Sequence, residues 1–415
     1  MDDTAYDYTY AEPARDADGR LRPRRSWMAT ARRGLAFVLD DLDAWALDNR
    51  LTDEEGRTRP PYFFYAVAVR RRHHDAGNGP NRNTSYPAFH HALFIETLAD
   101  GFEIAGRADA LAAAEALAEW NLRHRTPADA LYGNLPYSTA HEGRPGGSID
   151  GDTIMTDKPA IMAAAWLRLH RLTGRADYRD AALAVAETLA RTQRADGRWP
   201  FRVHPLTGEV FEEYTSSAIY AVELFDAAHR LTGEPRFAGA RDRALDGLLR
   251  GPVRDGRWNG FYEDISREQG ANNRTNYDAI DTARWFARRA TASNGGLSAA
   301  LALHDWVRER FVDTDHRYGP AEAVREQLAC NIRMGIHSLH WAQLLLDLAD
   351  ATGDPSYRAR AAAIGDYTTY LLRDDGTIGL DPTWPEERFG FWYSCHFGAV
   401  MGLLRLAQRL GVAQE

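Results

Sequence analysis

The chain has 415 residues, of which 44% are hydrophobic and 26% are charged, as expected for a globular protein with a large core. Its net charge of −9 and the absence of a basic stripe exclude nucleic acid as an expected partner. No apolar run reaches transmembrane length, and the acidic, polar start is unlike a secretory signal. We therefore expect no membrane partner and a cytoplasmic protein, or a secreted one if a leader was removed.

Cysteine and lysine are both rare in this chain. Cys330 and Cys395 have no neighbours at metal-ligand spacing, so we expect two buried free thiols, no metal and no cofactor. Among 50 basic residues the only lysine is Lys158, which follows Asp157. Its compact ammonium makes it a candidate ligand for substrate.

The first residues, 1–24, carry many Asp, Arg and Tyr without an apolar period, which predicts a flexible N-terminal arm. From residue 25 to residue 415 the chain repeats a pattern and reads as a single domain. A Thr-Gly turn opens each clear copy, at Leu172, Leu231 and Ala351, and an Asp-Gly turn closes it. The period of about 60 residues is long enough for one helical hairpin per repeat.

Two kinds of helix alternate along these repeats. Residues 178–193 place apolar side chains on one face, as in a surface helix, whereas residues 160–169 are apolar almost all round. Outer helices are predicted to start near Trp27, Ala108, Ala176, Arg236, Leu297 and Ser356. Inner helices are predicted to start near Ser85, Asp157, Tyr214, Asn276, Arg333 and Gly390. Six such pairs predict an all-α fold, an (α/α)6 toroid, with short β-hairpins in its loops such as 199–203 against 210–213.

The inner helices share a gradient from polar to apolar. Arg333, His337 and His340 precede a run of leucines, and Tyr277 and Asp281 precede Trp285 in the same way. Buried polar groups are costly unless paired, so their repeated placement at one end predicts a shared wet cavity there. Helix N-termini at that end would suit an anionic ligand.

Flat aromatic side chains, together with Asn, Asp, Arg and His, suit the CH faces and hydroxyl edges of sugars. Asn83, Tyr86 and His90 lie three or four apart and can share a helix face, while His90 and His91 cannot both point the same way. The predicted substrate-binding residues are Asn83, Tyr86, His90, His91, Asp152, Lys158, Trp199, Arg202, Tyr214, Asn276, Arg388 and Trp392.

Several segments in the right order resemble a family of polysaccharide lyases with an (α/α) toroid, active on alginate or glucuronan-type polyuronates. They cover about the middle half of the chain and are shared more broadly by six-hairpin carbohydrate-active enzymes. The carrying segments are 85–91, 118–122, 134–139, 156–159, 196–203, 214–216 and 261–264. The resemblance implies β-elimination in an anionic oligo- or polysaccharide that contains uronic acid.

β-Elimination has three chemical requirements. The uronate carboxylate must be neutralised, the neighbouring proton removed, and the leaving oxygen protonated. The candidates for the carboxylate are Arg333, Asn276 and Lys158. The predicted catalytic residues are His337 or Tyr277 as base and Tyr393 or His396 as acid.

Other readings of the same toroid stay open. A glycoside hydrolase would need two flanking carboxylates, from Asp150 or Asp152 with Asp278, Asp281, Glu386 or Glu387. A sugar epimerase would use His337 and His396. Residues 149–153 are similar to the acidic motif of class II terpene cyclases, and a non-catalytic sugar-binding toroid would keep the aromatics alone.

Overall fold

The computed structural model describes residues 11–40, 67–68, 84–85, 87–138, 140–141, 144–145, 153–215, 217–258, 275–291, 295–328, 332–380 and 391–412. For the strand residues before 146, and for 214–215 and 391–393, it describes the backbone without the side chains. All structural statements below refer to these residues.

Twelve long helices in the described ranges alternate between an outer and an inner layer. The outer helices are α1 (Trp27–Leu39), α3 (Ala108–Arg123), α5 (Ala176–Thr192), α7 (Pro235–Arg250), α9 (Gly296–Phe311) and α11 (Pro355–Thr368). The inner helices are α2 (Pro87–Glu103), α4 (Lys158–Thr173), α6 (Ala218–Thr232), α8 (Tyr277–Arg288), α10 (Gly335–Thr352) and α12 (Tyr393–Leu410).

The inner helices form a closed ring in chain order, because α12 packs against both α10 and α2. Each inner helix from α2 to α10 packs against the outer helix that follows it, and α1 completes the sixth pair by packing against α12. The predicted (α/α)6 toroid is therefore confirmed. The first and last helices of the described ranges, α1 and α12, therefore pack against each other.

The two layers bury their side chains as their patterns predict. In α5, Tyr178, Val185 and Leu189 are buried while the charged face is exposed. In α4, the buried set includes Ala160 and Met162, which lie on different sides of the helix. Burial of the inner helices on nearly all sides requires every neighbour to be present, so the core is shared by the whole ring.

Short strands lie in the loops between the helices. They are β1 (Val67–Ala68), β2 (Thr84–Ser85), β3 (Ala140–His141), β4 (Arg144–Pro145), β5 (Ile154–Met155), β6 (Pro200–Val203), β7 (Val210–Thr215), β8 (Val312–Asp313), β9 (Ala323–Val324) and β10 (Phe391–Trp392). All pairings are antiparallel, and β5, β6 and β7 form a three-stranded sheet in that order. The predicted hairpin is thus confirmed, although β7 extends two residues further than expected.

The repeated Thr-Gly turns end inner helices. Gly174 after α4 and Gly353 after α10 have φ values of 73° and 75°, and each N–H donates to the carbonyl four residues earlier. A left-handed residue without a Cβ is the favoured end of an α-helix. The turn motif therefore sets the repeat length by stopping each inner helix at the same level.

Residues 11–24 lie against the loop before β9 and the end of α11. Tyr318 donates its hydroxyl to the Ala11 carbonyl at 2.9 Å. The Tyr370 hydroxyl accepts from Ala14 N–H at 2.9 Å and donates to the Arg22 carbonyl at 2.7 Å. The prediction of a flexible arm over 1–24 therefore does not describe residues 11–24, whose backbone is tied down by two tyrosines; residues 1–10 lie outside the described residues.

Charged side chains alternate in sign around the C-terminal ends of the inner helices. α2, α6 and α10 present acids, and α4, α8 and α12 present arginines, so that neighbours in the ring carry opposite charge. The acids are Glu96, Asp100, Glu103, Glu223, Asp226, Asp347 and Asp350, and the arginines are Arg168, Arg171, Arg284, Arg288, Arg289, Arg405 and Arg409. We call this set the charge ring. Most of its members line a cavity of about 700 Å³ at this end of the toroid.

One part of the charge ring is buried and densely paired. Arg405 of α12 contacts Asp100 and Glu96 of α2, at 2.7 Å in both cases. Arg168 of α4 contacts the same two acids at 2.6 and 2.7 Å. Burial alone would raise the pKa of Glu96, but Arg405 and Arg168 together hold that pKa below its usual range. Two arginines thus clamp α2 between its neighbours.

Replacing Arg405 with Met should lower the free energy of unfolding by about 1–3 kcal/mol, because Asp100 and Glu96 lose one of their two cations in a largely buried place. The control is Arg171→Met, which removes a cation that is 65% exposed and 3.4 Å from its acid. It should change stability by less than about 0.5 kcal/mol. Urea unfolding of both variants is the measurement, and equal stability of the two variants would contradict the proposed clamp.

Candidate functional site

An axial cavity of about 320 Å³ runs down the centre of the inner ring. Its walls are mostly apolar, with Leu93, Ile161, Leu339 and Met401 among the lining residues. The polar lining residues lie at two different levels along the inner helices. Tyr277, Asp281 and His340 come from the first two turns of α8 and α10, and Glu96, Arg284 and Arg405 belong to the charge ring further down. The charge ring therefore lines the lower part of this cavity and also a second cavity of about 700 Å³, while Tyr277, Asp281 and His340 lie towards the N-terminal ends.

Asn276, Tyr277 and His337 form a hydrogen-bonded chain at the upper end of this cavity. The Asn276 amide nitrogen donates to the Arg325 and Glu326 carbonyls at 2.6 and 2.9 Å, so its Oδ1 faces His337 Nδ1, 3.2 Å away. An amide oxygen can only accept, and therefore His337 carries its proton on Nδ1. The unprotonated Nε2 then accepts the Tyr277 hydroxyl proton at 2.8 Å.

The environment keeps His337 neutral. Burial, with a smaller effect of His340, lowers the pKa of His337 to about 3. The His337 side chain is fully buried, whereas Tyr277 is half-buried and lines the cavity. Tyr277 is therefore the member of the pair that can touch a ligand, and His337 is the proton acceptor behind it.

A second histidine reaches the cavity from the next position on the same face of α10. His340 Nε2 lies 2.7 Å from Asp281 Oδ1 of α8. The His340 ring centroid is 6.4 Å from that of Tyr277. Burial alone would raise the pKa of Asp281, but His340 and Arg284 hold it below its usual range. Asp281 is thus a carboxylate that orients a histidine.

The only lysine is buried at the start of α4. Lys158 is 2% exposed, its ammonium lies 3.6 Å from Asp157, and it stands 4.7 Å above the Phe89 ring. A cation at a helix N-terminus is unfavourable, and Asp157 offsets this. Burial, followed by the charge of Lys158, lowers the pKa of the nearby His90 to about 3. Lys158 therefore has a carboxylate partner inside the protein.

Asp278 belongs to the same buried group. Its pKa is raised to about 7, chiefly by burial, with a contribution from the charge of Asp157. One of its carboxylate oxygens has no hydrogen-bond partner among the described residues. Asp278 faces α6, where Ser217 interacts with it, rather than the cavity side that Tyr277 occupies.

Arg333, predicted to bind a substrate carboxylate, is paired with the protein itself. Its Nε lies 2.7 Å from Asp313 of β8. The ion pair lowers the pKa of Asp313 against the opposing effect of burial. Arg333 thus ties the start of α10 to the loop outside α9.

His396 is held away from the cavity, between α12 and α1. Its Nδ1 accepts the Ile378 N–H at 3.0 Å, and its Nε2 lies 3.1 Å from the Gly34 carbonyl, to which it donates. Burial lowers its pKa to about 4. The structure therefore does not bring His396 together with Tyr277 and His337, and its contacts are those of a packing residue that joins the two ends of the chain.

Three more predicted binding residues point into packing contacts. His91 Nδ1 contacts the Asn121 amide of outer helix α3 at 2.9 Å, which makes it the outward member of the His90–His91 pair. Trp199 is 2% exposed and donates to the Leu189 carbonyl at 2.9 Å. Arg202 lies in β6, 3.6 Å from Glu212 of β7.

Other predicted residues cannot be placed. Asn83, Tyr86, Asp152 and Arg388 lie outside the described residues, as do Cys330 and the carboxylates Asp150, Glu386 and Glu387. Tyr214, Trp392 and Tyr393 have a described backbone, in β7, β10 and the first turn of α12, without described side chains. Their roles stay predictions. Cys395 is a buried free thiol, as expected.

Within the described ranges, no group of three or more His, Cys, Asp or Glu side chains is arranged to hold a metal ion. A search of the same ranges finds no helix with the length and apolar character needed to cross a membrane.

No family model matches this sequence, and no curated protein matches it. Solved structures do. A D-mannose isomerase has 12% sequence identity and a TM-score of 0.68 over 92% of this chain and 97% of its own. A sugar epimerase from a ruminal bacterium (12%, TM-score 0.62) covers 92% and 98%, and an unsaturated glucuronyl hydrolase specific for heparin (12%, TM-score 0.58) covers 93% and 98%. At this identity the likeness establishes the toroid fold alone.

His396→Gln should lower the free energy of unfolding by about 1–3 kcal/mol at pH 7, because it disrupts two buried hydrogen bonds. It should also reduce the pH dependence of stability. The folded-state pKa lies below the unfolded value of about 6.5, so stability present above pH 6.5 is lost as pH falls towards 4. The loss from this residue should approach about 1.4 kcal/mol per pH unit. Urea unfolding at pH 7 and pH 5 measures both effects, and an unchanged pH slope would contradict this assignment.

Proposed function

We propose that this protein is a carbohydrate-active enzyme that removes a proton from a carbon atom of a saccharide, with Tyr277 and His337 as the proton-transfer pair. The observation that carries the proposal is the fixed tautomer of His337. Asn276 holds the ring so that Nε2 is free to take the Tyr277 proton, and Tyr277 faces the axial cavity. A tyrosine whose proton has an acceptor behind it can take a proton from a ligand in front.

The carbohydrate substrate is supported by the fold neighbours, whose names describe a mannose isomerase, a sugar epimerase and a glucuronyl hydrolase. The first two names describe rearrangement of a sugar, and proton transfer at carbon is one chemical route to it. The cavity volume suits a small ligand held on most sides.

β-Elimination from a uronate-containing saccharide is the form of this chemistry that the sequence resemblance implies. Tyr277 would take the proton beside the carboxylate, and an acid would protonate the leaving oxygen. This form also needs a group that neutralises the carboxylate. Lys158 and Arg333 each have an acid partner within the protein, and the Asn276 amide nitrogen donates to two carbonyls.

Epimerisation or isomerisation is the second candidate. It is favoured because Lys158, Arg333 and the Asn276 amide already have partners within the protein. A neutral sugar brings no carboxylate and needs no additional cation. The same Tyr277 proton transfer next to a sugar carbonyl gives an enediolate, which is reprotonated to the product. Hydrolysis would instead need two flanking carboxyls. Of its candidates, Asp281 lines the axial cavity but is paired with His340, and Asp278 is not among the described lining residues. Asp150, Asp152, Glu386 and Glu387 lie outside the described residues.

A panel of reactions in D2O separates these outcomes. The protein is incubated with polyglucuronate, alginate, D-mannose and cellobiose. Absorbance from an unsaturated uronyl end indicates elimination. Deuterium incorporation at carbon with a new sugar isomer indicates epimerisation or isomerisation. New reducing ends without either signal would indicate hydrolysis and would overturn the proposal, as would binding without turnover.

Tyr277→Phe should lower kcat/KM on whichever probe reacts by at least about 100-fold, because it removes the hydroxyl that exchanges a proton with His337. The fold should be retained, since the ring still packs against His337 at 4.4 Å between centroids. Tyr357→Phe on outer helix α11 is the matched control and should leave the rate unchanged. A Tyr277→Phe variant with the wild-type rate would reject Tyr277 as the proton-transfer residue.

A further inference from the structure

We infer that His340, oriented by Asp281, is a second proton-transfer residue that serves the same axial cavity as Tyr277. The inference rests on the proposed function and deepens it, since removal of a proton from carbon must be followed by delivery of a proton elsewhere. The sequence suggested His396 or Tyr393 for that role; His396 is held between α1 and α12 by two backbone contacts.

The first argument is position. His340 lines the cavity, as do Tyr277 and Asp281, and 20% of its side chain is exposed. His337, three residues earlier on α10, is fully buried and is separated from the cavity by Tyr277. The two histidines therefore do different jobs, although one helical turn of sequence contains both. One is behind the tyrosine, and the other meets the ligand directly.

The second argument is the hydrogen bonding of the imidazole. His340 Nε2–H donates to the Asp281 carboxylate at 2.7 Å. In the part of the chain that the structure describes, no group contacts Nδ1. A carboxylate on Nε2 orients the ring and leaves Nδ1 for a ligand, so that Nδ1 is the nitrogen through which His340 can transfer a proton. Asp281 touches His340 rather than the cavity ligand, and we assign it a positioning role.

The third argument is that Asp281 is itself held ionised. It lies 3.8 Å from Arg284, which is also paired with Asp347 of the charge ring at 3.0 Å. A chain of polar contacts therefore runs from His340 through Asp281 and Arg284 to Asp347 of the charge ring. Because the carboxylate is anchored by Arg284 from below, it cannot leave His340 without breaking a second ion pair.

Tyr277, His337 and His340 account for every proton that moves in the reaction. Tyr277 takes the proton from carbon as its own hydroxyl proton moves to His337 Nε2, and the C–H electron pair moves towards the adjacent carbon. Burial keeps His337 neutral without a ligand, and the negative charge that develops on the ligand offsets the positive charge that His337 gains in this step. In elimination, that pair forms the double bond, the glycosidic C–O bond breaks, and the leaving oxygen takes the proton from His340. In epimerisation, the pair forms an enediolate, and His340 delivers its proton to carbon.

The test compares proton exchange with turnover. Wild type, His340→Gln, Asp281→Asn and Tyr277→Phe are incubated in D2O with D-mannose, cellobiose and polyglucuronate. NMR measures deuterium at carbon in recovered substrate, and product is measured separately. His340→Gln should keep exchange within a few-fold of wild type and lose product formation by at least about 100-fold. Asp281→Asn should show a smaller loss in the same direction. Tyr277→Phe should lose both.

The matched control is His229→Gln. His229 lies at the opposite end of inner helix α6, where its Nδ1 contacts the Glu234 carbonyl at 3.0 Å, and the variant should leave exchange and turnover unchanged. If His340→Gln lowers exchange and turnover in the same proportion, or leaves both unchanged, His340 is structural and this inference is overturned alone. If the wild type exchanges no carbon-bound proton on any probe, the proposed function and this inference fall together.

Discussion

The alternation of charge around the C-terminal ends of the inner helices is the constraint on which the rest of this toroid depends. A ring of six helices has an even number of neighbours, so acids and arginines can alternate without a like-charged contact at the closing seam. Pairing of Arg405 with Asp100 and Glu96 joins α12 to α2 and so connects the last helix to the first inner one. The chain already places consecutive hairpins side by side, and charge complementarity adds to the same neighbour order.

The charge ring lies at one end of the inner helices, and the candidate proton-transfer groups lie towards the other end. The inner helices all run in the same direction, so their N-terminal residues meet at the opposite end from the charge ring. Polar groups there are held by backbone and side-chain partners rather than by opposite charges alone. Asn276 shows the consequence most directly, because two carbonyls fix its amide, the amide fixes His337, and His337 fixes the Tyr277 proton. The charge ring and the preorganised proton acceptor therefore lie towards opposite ends of the same inner helices.

The described histidines of the inner helices fall into types that differ in their surroundings. His396 and His91 are packing residues whose nitrogens are satisfied by α1, the 378 loop and outer helix α3. His337 is buried behind a tyrosine, and His340 lines the cavity beside a carboxylate. Burial lowers the pKa of His337 and of His396 alike, so a shifted pKa alone does not identify a functional histidine here. A position on the cavity wall, which His340 has, distinguishes the functional histidine.

The sequence by itself determined the architecture. Repeated Thr-Gly stops, the contrast between amphipathic and wholly apolar helices, and the count of six pairs predicted the toroid and most helix starts within a few residues, because these signals are local and periodic. It also placed Asn276, Tyr277 and His337 at the polar end. Only the tertiary structure decided which polar residue faces the axis. His396 contacts α1, Trp199 contacts α5, and Arg333 and Lys158 pair with acids, whereas His340 lines the cavity. A helix in a closed ring has neighbours on every side, and the spacing of its residues does not say which side faces the cavity.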